Sequence, residues 1–67
     1  MSAYDVVAVN LETKRVRLIA EGKSEINADA VIMMAVARRG VNEEFFVQVP
    51  ADTYKDGDTW TGKAKEA

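Results

Sequence analysis

The chain has 67 residues, 9 Lys+Arg against 11 Asp+Glu, a formal net charge of −2, and neither cysteine nor histidine. That length makes one domain, and the missing thiols and imidazoles exclude disulfides, thiolate or imidazole metal sites, and triads built on Ser-His or Cys-His. With 48% hydrophobic and 30% charged residues, the composition is that of a folded domain rather than a disordered chain.

Tyr4 to Val9 reads as a strand. Val6, Val7 and Val9 are β-branched, and neither face is consistently polar. A strand apolar on both faces belongs in the centre of a sheet or has both faces covered. Asn10 to Lys14 is a turn, with Asn10 able to bond the backbone locally. Arg15 to Glu21 is the return strand. Val16, Leu18 and Ala20 fall on one face, and Arg15, Arg17, Ile19 and Glu21 on the other, as a half-exposed strand requires. Lys14, Arg15 and Arg17 read as edge protection against pairing with other chains. A small anion-binding patch is the weaker reading, because Glu12 and Glu21 flank it.

Gly22 to Glu25 breaks the strand, and a helix is predicted over Ala28 to Arg39. Asn27 is placed as its N-cap, Ile26 as a staple to Val31, and Asp29 in the first turn. Gly40 is the expected stop, with Val41 placed to touch Val36. Arg38 and Arg39 suit the last turn, where the helix dipole favours cations. Glu44 to Val49 is the third strand, with Phe45, Val47 and Val49 on one face and Phe46 and Gln48 on the other. Pro50 ends its pairing. Tyr54 to Trp60 holds an Asp56-Gly57 turn signal, which sets Lys55 opposite Asp58 in a short terminal hairpin or arm.

The predicted fold is therefore α+β, of ββαβ order, with a β-hairpin, one helix, a third antiparallel strand and a C-terminal aromatic arm. Residues 1–61 form the domain and 62–67 a frayed tail. The apolar first strand favours sheet order 2-1-3. The alternative order 1-2-3 would keep a right-handed parallel crossover between neighbours.

Candidate chemistry is sparse. Aligning Gly57 with the glycine of a calcium-binding EF-hand loop puts Asp52, Asp56 and Asp58 at ligand positions. Tyr54 and Lys63 then occupy the two most diagnostic ones, so a turn with solvated acids is the better reading. The glycines are too dispersed for a phosphate-cradling loop. No catalytic residue, metal site or cofactor is expected. Arg15, Arg17, Tyr54 and Trp60 are the candidates for contact with a ligand or partner.

The anomaly is the helix. Stepping about 100° per residue, one arc carries Ala30, Met33, Met34 and Ala37. The opposite arc carries Ala28, Val31, Ile32 and Ala35, and charge is confined to the ends. A surface helix on a small sheet should show one apolar stripe and one polar face. Either the terminal arm covers the second face, or another chain does. Domains of this size are marginal alone, and common staples of small scaffolds are missing. The expectation is a small, acidic, non-catalytic interaction or accessory module, a homodimer through Ala28, Val31, Ile32 and Ala35.

Two other functions are weighed. A nucleic-acid-binding domain would use the sheet face and aromatic arm, against the negative charge around those aromatics. A small enzyme or ligand-binding subunit would carry its site at a dimer interface. The longest apolar run, Ala30 to Ala37, is short of the roughly 20 residues a membrane span needs. Met1 to Asp5 lacks the basic start of a signal peptide, and with no cysteine a cytoplasmic location is expected.

Overall fold

The structure is a computed structural model that describes residues 3–38 and 44–62. Its elements are β1 (Tyr4–Asn10), β2 (Val16–Lys23), α1 (Glu25–Arg38) and β3 (Glu44–Pro50). The strands form one sheet in the order β2-β1-β3, and β1 is antiparallel to both neighbours. The fold is α+β, with the apolar strand in the centre.

Burial explains that order. Asp5, Val6, Val7, Ala8 and Val9 are all buried, so β1 is covered on both faces. Val7 opposes Leu18 and Val47, and Val9 opposes Val16 and Phe45. With Val49, Tyr54 and Trp60 these residues make the main hydrophobic cluster. On the other face, Val6 lies between Ala20 and Gln48. There α1 packs down through the fully buried Ala28, and Asp29 Oδ1 accepts a hydrogen bond from Gln48 Nε2. The molecule is thus layered as arm, sheet and helix.

The β1–β2 turn is built by Asn10. Its Oδ1 accepts the N–H groups of Glu12 and Thr13, both at 2.8 Å. Its carbonyl accepts from Lys14 N, which has φ +63°.

Strand β2 departs from the simple alternation read in the sequence. Its pairing with β1 shifts twice, between Tyr4 and Val6 and between Val6 and Val7. Ile19 is an extra residue between Leu18 and Ala20, so Ala20 turns to the helix side instead of joining Val16 and Leu18. The second irregularity contains Gly22 at φ +63°, a backbone state that suits glycine. Gly22 therefore does not end the strand, which runs on to Lys23. The Asp5 carboxylate pins this bulge, accepting Gly22 N–H at 2.9 Å and Asp52 N–H at 3.1 Å.

The C-terminal arm does not fold back on itself as a hairpin. Asp56-Gly57 does form a tight turn, with Asp58 N donating to Lys55 O at 3.0 Å and Gly57 at φ +93°. The arm then lies along the outer edge of β2. Val16 N donates to Asp58 O, Gly57 N to Val16 O and Trp60 N to Lys14 O, each at 2.8 Å. Leu18 N donates to Asp56 Oδ1 at 2.9 Å. Here the edge of β2 is covered by backbone pairing, whereas the sequence suggested protection by Lys14, Arg15 and Arg17 alone.

Candidate interaction surface

Helix α1 starts three residues before its predicted position. Ser24, not Asn27, is the cap: its Oγ accepts Asn27 N–H at 3.2 Å and its carbonyl accepts Ala28 N–H at 2.8 Å. A side-chain oxygen bonding the third helical N–H is the standard N-cap arrangement. The bulge at Gly22 carries β2 almost to Ser24, so the helix begins as soon as the strand ends. Ile26 is then a first-turn residue pointing outward, 79% exposed, and does not staple to Val31. The expected stop at Gly40, and the neighbouring Arg39 and Val41, lie outside the described residues, as do residues 63–67 of the expected tail.

The two arcs of the helix now separate by burial. Ala28 is fully buried, and Val31, Ile32 and Ala35 are half-buried. This is the arc expected to meet a second chain, and the structure lays it toward the sheet. The opposite arc faces outward: Met33 is 74% exposed and Met34 53%, and Ala30 and Ala37 are exposed as well, while Val36, at the flank of the sheet-facing arc, is 46% exposed. The aromatic arm does not reach it, because the arm occupies the far face of the sheet. Along one side, Ile19 of the β2 bulge joins Val31, Met34, Ala35 and Arg38 in a shallow apolar groove.

Ile26, Ala30, Met33 and Ala37 stand four, three and four residues apart. At about 100° per residue they fall within a narrow stripe at the centre of the outward arc. With Met34 exposed beside them, the outward arc is a broad apolar face rather than the narrow two-position seam of a coiled coil. The early helix start creates this pattern, since Ile26 lies outside the helix as the sequence predicts it.

The other candidate contacts are engaged within the fold. Tyr54 is only 5% exposed and belongs to the main cluster, and its hydroxyl and Thr61 Oγ1 lie 2.9 Å apart. Trp60 is half-buried, stacked on Tyr54 at 5.3 Å and edge-to-face with Phe45 at 5.4 Å. Arg17 reaches across β1 to Glu44, with Nη2 and Oε1 3.1 Å apart. Arg15 is exposed and bridges to Thr59 through its backbone. Arg15 and Arg17 share a shallow open pocket with Asn10, Thr13, Glu44 and Asp56, where two carboxylates offset the basic charge.

The acidic turn also has structural work. Asp56 holds the β2 edge and Asp58 Oδ2 accepts Lys55 N–H at 2.8 Å. Among the described residues, no group of three or more acidic side chains could hold a metal ion, and no helix is long and apolar enough to cross a membrane. No protein family, characterised protein or solved structure matches this chain.

Proposed function

We propose that this chain is a small, non-catalytic, cytoplasmic protein-interaction module that acts as a homodimer through the outward face of α1. One observation carries the reading: an apolar helix face, with Ile26, Met33 and Met34 largely exposed, lies open on the outermost layer of the molecule. Large exposed apolar patches on small domains mark interaction surfaces. The sheet already has its covers, the helix on one face and the arm on the other. The surface in need of a partner is therefore the outward helix face, centred on Met33, rather than the Val31, Ile32 and Ala35 arc.

The contact is modest. A helix of 14 residues is about 21 Å long, and a single helix pair buries less than the roughly 1,200 Å² of a standard stable interface. So small a contact points to a weak association that depends on concentration. A nucleic-acid interface on the aromatic arm has less support, because Tyr54 is buried and Trp60 is held between two rings.

Sedimentation equilibrium tests the reading. Wild-type protein should shift from monomer to dimer as concentration rises into the high micromolar range. Met33→Glu should remain monomeric while keeping its fold. A wild-type chain that stays monomeric over that range would overturn self-association.

A further inference from the structure

We propose that the outer edge of β3 takes an extended segment of another polypeptide as a fourth, antiparallel strand. That segment carries a Lys or Arg opposite Gln48, followed by an apolar run opposite Val47, Phe46 and Phe45. The proposal rests on the reading of the chain as an interaction module and is independent of the homodimer.

Both faces of the sheet are covered, and the arm pairs along the β2 edge. The β3 edge is what remains. Ala51 N donates to Ala3 O at 3.0 Å, and antiparallel ladders alternate between paired and unpaired positions. In the β1–β3 register, Phe45, Val47 and Val49 therefore turn their backbone groups to β1, and Phe46 and Gln48 turn theirs outward. Among the described residues, no backbone group meets the N–H and C=O of Phe46 or Gln48 on that side.

The edge is also straight and unguarded. Its register is unbroken from the Tyr4 pair with Pro50 to the Asn10 pair with Glu44, whereas β2 is bulged. Phe45 to Val49 holds no charge and no proline, the devices that blunt an exposed edge. The side chains register the missing neighbour. Val7 and Val9 in the central strand are fully buried, while Val47 and Phe45 beside them are half-buried. Unpaired backbone between apolar side chains is completed by a strand, with main-chain bonds for affinity and side-chain rows for choice of partner.

Charge sets that choice. Gln48 is 4% exposed, and its Nε2 donates to Asp29 Oδ1. Its Oε1 is buried with no partner among the described residues. Asp29 is exposed, and among the described residues no cation pairs with it. Paired residues on neighbouring strands share a face, about 5 Å apart at Cβ. A Lys or Arg opposite Gln48 thus lies on the helix side, where it brings donors toward Oε1 and positive charge toward Asp29. The residues after it face Val47, Phe46 and Phe45 in turn, and all three call for apolar side chains. A second copy of β3 fits poorly, since its only charged residue is Glu44, of the wrong sign for Asp29.

The probe is the blocked peptide acetyl-Ser-Lys-Val-Tyr-Val-Ser-amide, titrated into the isotopically labelled full chain and followed by amide NMR. Saturable shifts are expected at the amides of Phe46 and Gln48, with slowed hydrogen exchange at both. N-methylation of the peptide's Lys and Tyr, whose N–H groups face β3, should abolish binding. N-methylation of its two valines, whose N–H groups face away, should leave binding intact. A peptide with Glu in place of Lys should bind several-fold more weakly. Asp29→Asn, which keeps an acceptor for Gln48, should remove most of that preference.

No shift at millimolar peptide, or equal loss with either methylation pattern, would overturn strand addition. Equal binding of the Lys and Glu peptides would overturn the charge assignment. Phe46 and Gln48 amides that move with protein concentration in the absence of peptide would place a second copy on this edge and overturn the foreign segment. Self-association through α1 is read separately by sedimentation, so it can hold while strand addition fails, or the reverse.

Discussion

Asp5 and Gly22 are joined across the sheet by a hydrogen bond of 2.9 Å from the Gly22 amide to Asp5 Oδ1. The second oxygen of the same carboxylate takes the Asp52 amide at 3.1 Å, so one buried side chain ties the β2 bulge to the turn after β3. Hydrogen bonds to a charged group contribute about 1.5–3 kcal/mol each. Asp5→Ala is expected to destabilise the fold by roughly 3 kcal/mol in urea unfolding. Asp5→Asn, which keeps one acceptor, should lose less.

The helix cap gives a paired comparison. Ser24→Ala removes the oxygen that receives Asn27 N–H and should cost about 1 kcal/mol. Asn27→Ala removes only an exposed residue inside the first turn, where alanine has the better helix propensity. It should leave stability unchanged or slightly raised. Equal losses in thermal unfolding of the two variants would contradict the assignment of Ser24 as cap.

Trp60 lies between Tyr54 and Phe45 over the main cluster. Its emission should be blue-shifted and only partly accessible to iodide. Trp60→Ala should destabilise by about 2–3 kcal/mol, less than the 3–5 kcal/mol typical of a fully buried aromatic, because the ring is half-exposed. A free-indole spectrum in folded protein would show that the arm does not pack on the sheet.

At Gly57, φ is +93° and nothing lies within 4 Å of where a Cβ would be built. The cost of Gly57→Ala is therefore backbone strain alone, about 1 kcal/mol. The loss should appear as a lower urea midpoint with an unchanged slope, since the turn would strain without exposing new surface.

Much of this architecture is legible in the residues themselves. Val6, Val7 and Val9 make β1 apolar on both faces, which places it centrally, and Asp56-Gly57 does set Lys55 against Asp58. What the sequence conceals is non-local. The arm's backbone pairs with Val16 rather than with itself, and no local signal names that partner. Gly22 reads as a breaker, yet it sits in a bulge whose amide is satisfied by Asp5, seventeen residues earlier. That bulge moves the helix start to Ser24 and brings Ile26 into the outward stripe. With both helix arcs apolar, composition could show that one face lacked cover but not which. Only the packing of Ala28 on the sheet separates them.

The outward face of α1 as the self-association surface is tested most directly by a dilution series of amide chemical shifts, from high micromolar to low micromolar protein. Concentration-dependent shifts are expected at Ile26, Ala30, Met33 and Ala37 and their immediate neighbours, with the amides of Val7, Val9 and Val16 unmoved. Shifts that do not change with dilution, or changes confined to β3 or the aromatic arm, would contradict it.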